Sequence, residues 1–83
     1  MTQKEEYENV CENIRYLRRV SGLSRTAMAR RLHITVKTLD VLEAGTFPER
    51  INIRFFFQVS QTFGVPPRRL LSVRLEEMAT DIP

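Results

Sequence analysis

Arginine is the residue type in this chain with the most evident chemistry. Between residues 13 and 74 the sequence has eleven arginines and one lysine against three acidic residues, a net charge of +9. The planar guanidinium group binds phosphate oxygens in a bidentate manner, whereas the ammonium group of lysine acts as a point charge. The composition of this segment favours a polyanionic partner, although an arginine on a helix is often only solvated.

The two ends of the chain have the opposite charge. Residues 1–12 and residues 75–83 each have a net charge of −3, so the whole chain has only +3. We interpret both acidic ends as solubilising segments. A chain of 83 residues can form one domain with one modest core. We predict a single domain over 1–83, with its core in 13–72, an N-terminal extension that continues into the first helix, and a short tail over 73–83.

The sequence offers few residues for catalysis or metal binding. No paired carboxylates, nucleophile–base pair or glycine-rich phosphate loop is visible, and we expect neither an enzyme nor a small-molecule substrate. Cys11 and His33 are the only cysteine and histidine and cannot supply a four-ligand zinc site, so no metal and no cofactor are expected. Cys11 is interpreted as a small buried apolar residue. Without an apolar stretch of about 20 residues or a secretory signal, we predict a cytoplasmic protein with no membrane partner.

Hydrophobic periodicity predicts that an all-α fold of five helices positions the basic side chains. The first helix covers residues 5–20, ends at Gly22, and has apolar residues at three- and four-residue steps. Ser24 and Thr35 are the predicted N-caps of a second and a third helix, and the third ends at Gly45. The inner faces of these helices comprise Tyr7, Val10, Cys11, Ile14, Leu17, Val20, Met28, Ala29, Leu32, Val36, Leu39 and Leu42.

The rest of the chain predicts two further helices. Asn52 is the expected N-cap of a fourth helix that ends at Gly64, and Pro67 begins a short fifth helix. The three phenylalanines at 55–57 cannot all face one core, because consecutive helical residues are about 100° apart. We expect Phe55 to be the exposed one, either covered by arginine side chains or part of a dimer or partner surface. That surface would also include Val73, Leu75, Met78 and Ile82.

The central segment has a family resemblance. Residues 22–45 have the sequence GLSRTAMARRLHITVKTLDVLEAG. This stretch resembles the helix-turn-helix of the Cro/phage-repressor (Xre-type) family of bacterial DNA-binding domains, with the small Ala29 where two helices must cross closely. The flanking stretches IRYLRR and NIRFFFQVSQTFGVPPRRLL resemble the family's first, fourth and fifth helices, so about 60 residues are covered. The apolar inner positions of the motif are occupied by Met28, Leu32, Ile34, Leu39 and Leu42.

The resemblance implies a five-helix, lambda-repressor-like domain that binds double-stranded DNA as a homodimer and regulates transcription, most often as a repressor. Its third helix would enter the major groove, which is about 12 Å wide, and present side chains to base edges. The implied protein is bacterial or phage-type and cytoplasmic. The DNA-binding positions are assigned to Arg25, Thr35, Val36, Lys37, Thr38, Asp40 and Val41, and Arg50 is added as a phosphate contact from the loop over residues 46–51.

The residues at these positions predict different contacts. Arg25 stands where the family usually has Gln and would bind backbone phosphate. Thr35 would cap the third helix and touch a phosphate. Lys37 is the expected donor to guanine, Val36 would contact a thymine methyl group, and Asp40 would accept from cytosine N4.

Three of these positions also support another reading. Relatives usually have polar side chains where this chain has Val36, Asp40 and Val41, so few side chains of the third helix can contact base edges directly. DNA shape can supply part of the specificity. The alternative function is a protein-interaction module on a helix-turn-helix scaffold, with weak or lost base reading.

The resemblance assigns two further residues a structural role. Arg18 and Glu43 occupy positions where relatives have an ion pair between the first and third helices, so loss of DNA binding in Arg18→Ala could reflect unfolding. His33 replaces the Gly expected in the turn, a position that needs positive φ. We expect a slightly strained turn there, and no metal or pH-sensing role.

Overall fold

The computed structural model describes residues 2–49 and 51–80, with residues 79 and 80 described only as part of a helix. The described residues contain no strand, and the all-α prediction is confirmed. They form six helices, which are α1 (Gln3–Ser21), α2 (Arg25–Leu32), α3 (Val36–Glu43), α4 (Ile53–Phe63), α5 (Pro67–Ser72) and α6 (Leu75–Thr80). The sequence predicted the first five, and α6 lies in the segment expected to be a tail.

Polar side chains cap the helices where the sequence predicted them. Ser24, Thr35 and Asn52 each accept a hydrogen bond from a backbone N–H in the first turn of α2, α3 and α4, at 3.0 to 3.1 Å. The first helix begins two residues earlier than predicted, because Thr2 and Glu5 form a capping box. These local contacts set where each helix begins.

The five helices α1 to α5 share one hydrophobic core. The four large apolar side chains predicted on the inner faces of α2 and α3 are at most 1% exposed, and Ile34 packs against them from the turn. Cys11 is also buried, as predicted. The buried core consists of Val10, Cys11, Ile14, Leu17, Met28, Ala29, Leu32, Leu39, Leu42, Phe55, Val59 and Leu70.

Three predictions about apolar exposure were wrong. Val36, predicted on the inner face of α3, is 38% exposed because it is the first residue of that helix and lies about 60° around it from the buried Leu39. Phe55 is buried at 3% exposure, and Phe57 is the exposed phenylalanine at 58%. Phe55 shares a face of α4 with the buried Val59 one turn later, whereas Phe57 lies about 200° around the helix from Phe55. Val20 is 59% exposed because the core ends one turn earlier in α1, at Leu17.

Two buried asparagines of α1 hold the C-terminal part of the described chain. Asn13 is 1% exposed and donates from Nδ2 to the backbone carbonyls of Leu70 (2.9 Å) and Val73 (2.8 Å). Its Oδ1 accepts from the backbone N–H of Leu75 at 2.9 Å. Asn9 donates to a further carbonyl of α5. Together they pair the carbonyls that the end of α5 leaves free and position the start of α6.

The acidic C-terminal segment is therefore partly structural. Glu76 of α6 accepts from Arg19 of α1 at 2.7 Å. Of the apolar residues expected in a partner surface, Leu75 packs against the core and Met78 is 41% exposed. Ile82 lies outside the described residues.

Candidate nucleic-acid interface

Residues 33–35 form the short turn that connects α2 to α3. His33 ends α2 with φ +58° and is the only non-glycine residue with positive φ in the described part of the chain. Its backbone N–H donates to the carbonyl of Arg30 at 3.2 Å, and that of Ile34 donates to the carbonyl of Ala29 at 3.0 Å. This is a Schellman-type helix end. The left-handed conformation expected at this position is present, with His in the place of Gly.

The third helix has one buried and one open face. Leu39 and Leu42 are fully buried in the core. Lys37 and Asp40 are exposed, and Val36 is 38% exposed. Val41 is half-buried. The assigned reading positions therefore share the side of α3 that faces away from the core.

The hydroxyl of Thr35 is used within α3. Its Oγ1 accepts from the backbone N–H of Thr38 at 3.0 Å and donates to Thr38 Oγ1 at 2.9 Å. Either hydroxyl can donate to the other, so one hydroxyl hydrogen of the pair stays available to a phosphate. The geometry therefore gives Thr35 the capping role and places the hydroxyls of Thr35 and Thr38 side by side at the start of α3.

Arg25, the first residue of α2, lies beside the middle of α3. Its Nε is 3.7 Å from Oδ1 of Asp40, and the two side chains are 62% and 48% exposed. That distance exceeds hydrogen-bonding range, so the charges attract each other without a directed hydrogen bond. Both residues were predicted to contact DNA, but their pairing was not predicted. Residues this far apart in sequence meet only through the packing of α2 against α3.

A cleft separates α3 from the beginning of α4. Lys37 and Thr38 line it from α3, Asn52 and Arg54 line it from the start of α4, and His33 lines it from the turn. Lys37 and Arg54 are both exposed. Sequence reasoning did not single out Arg54. Arg50, predicted to bind phosphate from the preceding loop, lies outside the described residues.

Basic residues occupy the first turns of α2, α3 and α4. These are Arg25, Lys37 and Arg54, and none of the three helices has an acidic residue in its first turn. The short α5 shares this pattern, whereas α1 and α6 have the ordinary one, with acids such as Glu5 and Glu76 in their first turns. A cation at a helix N-terminus costs about 0.3–1 kcal/mol, because the helix dipole there favours negative charge.

A bound anion would reverse that cost, since the backbone N–H groups and the cation would then attract the same ligand. The starts of α3 and α4 line one cleft, and Arg25 at the start of α2 contacts α3 through Asp40. We call the surface formed by Arg25, Lys37, Arg54 and the open side of α3 the anion face. It has three cations and the carboxylate of Asp40, and Glu49 also lines the cleft. A first-turn cation in consecutive helices was the sequence signal that could have identified Arg54.

Arg18 and Glu43, the two residues assigned to a structural ion pair, are in contact. Arg18 donates from Nε to Oε2 at 2.6 Å and from Nη2 to Oε1 at 2.8 Å. Its Nη1 donates to the backbone carbonyl of Leu23 at 3.2 Å. The hydrogen bonds to Glu43 raise the pKa of Arg18 above its ordinary value. The pair connects α1 to the last residue of α3 and so orients the helix that carries the anion face.

Comparison of the chain with known protein families, with curated proteins and with solved structures finds no match. No group of three or more potential metal ligands occurs among the described residues. Within the same residues, no helix is both long enough and apolar enough to cross a membrane.

Proposed function

We propose that this chain is a sequence-specific double-stranded DNA-binding protein that regulates transcription. In this proposal α2, the turn and α3 form a helix-turn-helix, and α3 is the helix that enters the major groove. The observation that carries the proposal is the anion face, where three basic helix starts surround the open side of α3. Each cation at these helix starts opposes the helix dipole at a cost of about 0.3–1 kcal/mol, which a bound phosphate would reverse.

The dimensions of α3 fit this role. A helix with its side chains is about 10–12 Å in diameter, so α3 with its eight residues can enter the major groove, which is about 12 Å wide. Lys37 can donate to guanine, Asp40 can accept from a base amino group, and Val36 can contact a thymine methyl group. These three side chains are exposed on the same helix.

The remaining cations of the anion face would hold the phosphate backbone. Arg25 lies in the first turn of α2, 3.7 Å from Asp40 on α3, and Arg54 lines the cleft beside Lys37, so both cations adjoin the open side of α3. Such phosphate contacts set the orientation of the protein and most of its non-specific affinity. Thr38 adds a neutral donor in the same cleft.

We further propose that the protein binds as a homodimer and represses transcription by occupying its site. A two-fold dimer places its reading helices about one helical turn of DNA apart, roughly 34 Å, and therefore selects palindromic half-sites. Occupancy of such a site excludes polymerase or changes its recruitment. Selection of bound duplexes from a random pool tests the proposed homodimer, because a non-palindromic site or a single half-site would contradict it.

The primary test is a titration of random duplex DNA at several salt concentrations, read by fluorescence anisotropy. Each neutralised phosphate contributes a log–log slope of about −0.9, so the two phosphate contacts of Arg25 and Arg54 predict a slope of about −1.8. Arg54→Gln should reduce the slope by about 0.9. Arg68→Gln, an exposed arginine of α5 outside the anion face, is the matched control and should leave the slope unchanged. Absence of binding at low salt would contradict the proposal.

A second candidate function is a protein-interaction module on the same scaffold. The observation that favours it is the apolar content of the open side of α3, where Val36 is 38% exposed and Val41 is half-buried. The exposed Phe57 also lines the neighbouring cleft. The salt titration separates the two functions, since an apolar protein interface does not predict a phosphate-dependent slope.

A further inference from the structure

The pairing of Arg25 with Asp40 places opposite charges at two positions of the anion face. Arg25 Nε and Asp40 Oδ1 are 3.7 Å apart, and roughly half or more of each side chain is exposed. Water therefore reaches both groups, and the pair can separate readily when a ligand arrives. The contact occupies Arg25 while no ligand is bound.

The carboxylate has a direct effect on an approaching phosphate. A phosphate that contacts Arg25 comes within a few ångströms of Asp40, and the two negative charges repel each other. At such a distance near a protein surface, the repulsion amounts to about threefold to tenfold in affinity. Every stretch of duplex has the same backbone, so this loss applies to all sequences alike.

Only a contact with the bases can offset this loss of affinity at some DNA sequences and not at others. Asp40 is exposed on the open side of α3, beside Lys37 and the reading positions. A carboxylate accepts hydrogen bonds and donates none, so it gains from a base amino group and loses against a base carbonyl. In the major groove the amino groups are cytosine N4 and adenine N6.

We propose that Asp40 is the residue that sets the sequence selectivity of this protein. It weakens binding to duplex DNA in general by holding Arg25 and repelling phosphate, and it admits sites that present a base amino group, above all cytosine N4, opposite α3. The inference rests on the proposed DNA-binding function. Sequence selectivity is thereby assigned to the carboxylate of Asp40, which weakens the contact of Arg25 with DNA phosphate. It is not assigned to a further hydrogen-bond donor.

The test compares four variants with the wild-type protein on random duplex DNA. Asp40→Asn keeps the shape of the side chain and removes its charge, and should bind random duplex about fivefold more tightly than the wild type. Glu8→Gln removes the same charge from an exposed residue of α1 and should change the affinity less than twofold. In the background of Arg25→Gln, Asp40→Asn should gain less than it does in the wild-type background, because no masked arginine remains and only the direct repulsion of phosphate is relieved.

The second measurement uses the duplex that the wild-type protein selects from a random pool. Replacing base pairs of this site one at a time should reveal one cytosine or adenine whose replacement costs the wild type about tenfold and Asp40→Ala, which has no hydrogen-bond acceptor, less than twofold. Circular dichroism and thermal unfolding of each variant should match the wild type, since the altered residues are exposed.

The outcomes distinguish the inference from the function on which it rests. If neither the wild type nor Asp40→Asn binds duplex DNA at low salt, both proposals are overturned. If the wild type binds but Asp40→Asn and Glu8→Gln behave alike on random duplex, only the inference is overturned. The same holds if every base pair of the selected site keeps its importance in Asp40→Ala.

Discussion

Arg18 and Glu43 join α1 to the end of α3 through two parallel hydrogen bonds of 2.6 and 2.8 Å. The carboxylate side chain is only 11% exposed and the guanidinium side chain 24%. Charge-assisted bidentate pairs of this kind combine strength with a defined geometry. The relationship matters for function because α3 carries the open side of the anion face, and its angle to α1 depends on this contact.

Glu43→Ala should lower the free energy of unfolding by about 3 kcal/mol, since it leaves the guanidinium of Arg18 partly buried without its anion. Urea denaturation at neutral pH measures the loss. The matched control is Glu76→Ala, which removes the ion pair between Glu76 and Arg19. Both of these side chains are 57% exposed. That control should cost less than about 1 kcal/mol. Equal losses would show that the Arg18–Glu43 pair contributes no more than a surface contact.

The exposures of two neighbouring phenylalanines predict very different mutant stabilities. Phe55→Ala should cost about 3–5 kcal/mol, because it leaves a cavity in the core beside Phe56 and Val59. Phe57→Ala, two residues along the same helix and 58% exposed, should change stability by less than about 1 kcal/mol. Thermal unfolding of both variants gives the comparison. The reverse order of stabilities would mean that the register of α4 differs from the one described.

Asn13→Ala should destabilise the fold by about 3 kcal/mol and release α6. The substitution removes the partner of two backbone carbonyls and of the N–H of Leu75 in a site where Asn13 is 1% exposed. Amide hydrogen exchange should then lose protection in α6 before the rest of the chain. Ser72→Ala removes an exposed hydrogen bond to the carbonyl of Arg68 and serves as the control with little effect. Unchanged protection of α6 in Asn13→Ala would contradict this role.

Lys37→Ala and Arg25→Ala should affect DNA binding differently. Loss of Lys37 should cost about 1–3 kcal/mol on a preferred site and little on random duplex, since its role is to contact a base. Loss of Arg25 should weaken binding to both kinds of duplex alike, since its role is to contact phosphate. Anisotropy titrations on both duplexes measure the four values. A similar loss on random duplex from both variants would deny Lys37 a base-reading role.

The buried thiol of Cys11 predicts a loss of stability at high pH. Burial raises the pKa of this thiol to about 11, and the carboxylate of Glu12 adds to the effect. The unfolded chain loses the proton near the ordinary value of 9.0, so it binds fewer protons than the folded chain between about pH 9 and pH 11. The stabilising contribution is complete below pH 9 and disappears as the pH rises to 11. Over that range the wild type should lose about 2 kcal/mol more than Cys11→Ala does. Parallel pH profiles for the two proteins would contradict this prediction.

The starts of α2, α3 and α4 were predictable because the contacts that determine them are local. Ser24, Thr35 and Asn52 cap backbone groups within three residues of themselves, so the sequence around each cap contains the whole interaction. The periodic apolar positions of α2 and α3 followed from the helical repeat alone. The requirement for positive φ at His33 was also local, since it belongs to the turn.

Other features depended on which elements the fold brings together. Hydrophobic periodicity does not show which of Phe55 and Phe57 is buried, because the inner face of α4 depends on the helices against which α4 packs. The burial of Asn13 depends on the carbonyls at the end of α5, which are far away in sequence.

The candidate site divides in the same way. The basic character of the segment, the caps and the open positions of α3 could be read from the residues. The contact of Arg25 with Asp40 and the shared cleft of Lys37 and Arg54 arise only when α2 packs against α3 and the start of α4 lies across the cleft from α3. A charge pattern along the chain records how many cations are present. Packing decides which of them face one ligand and which anion lies among them, because electrostatic interactions depend on distance in space and not on separation in sequence.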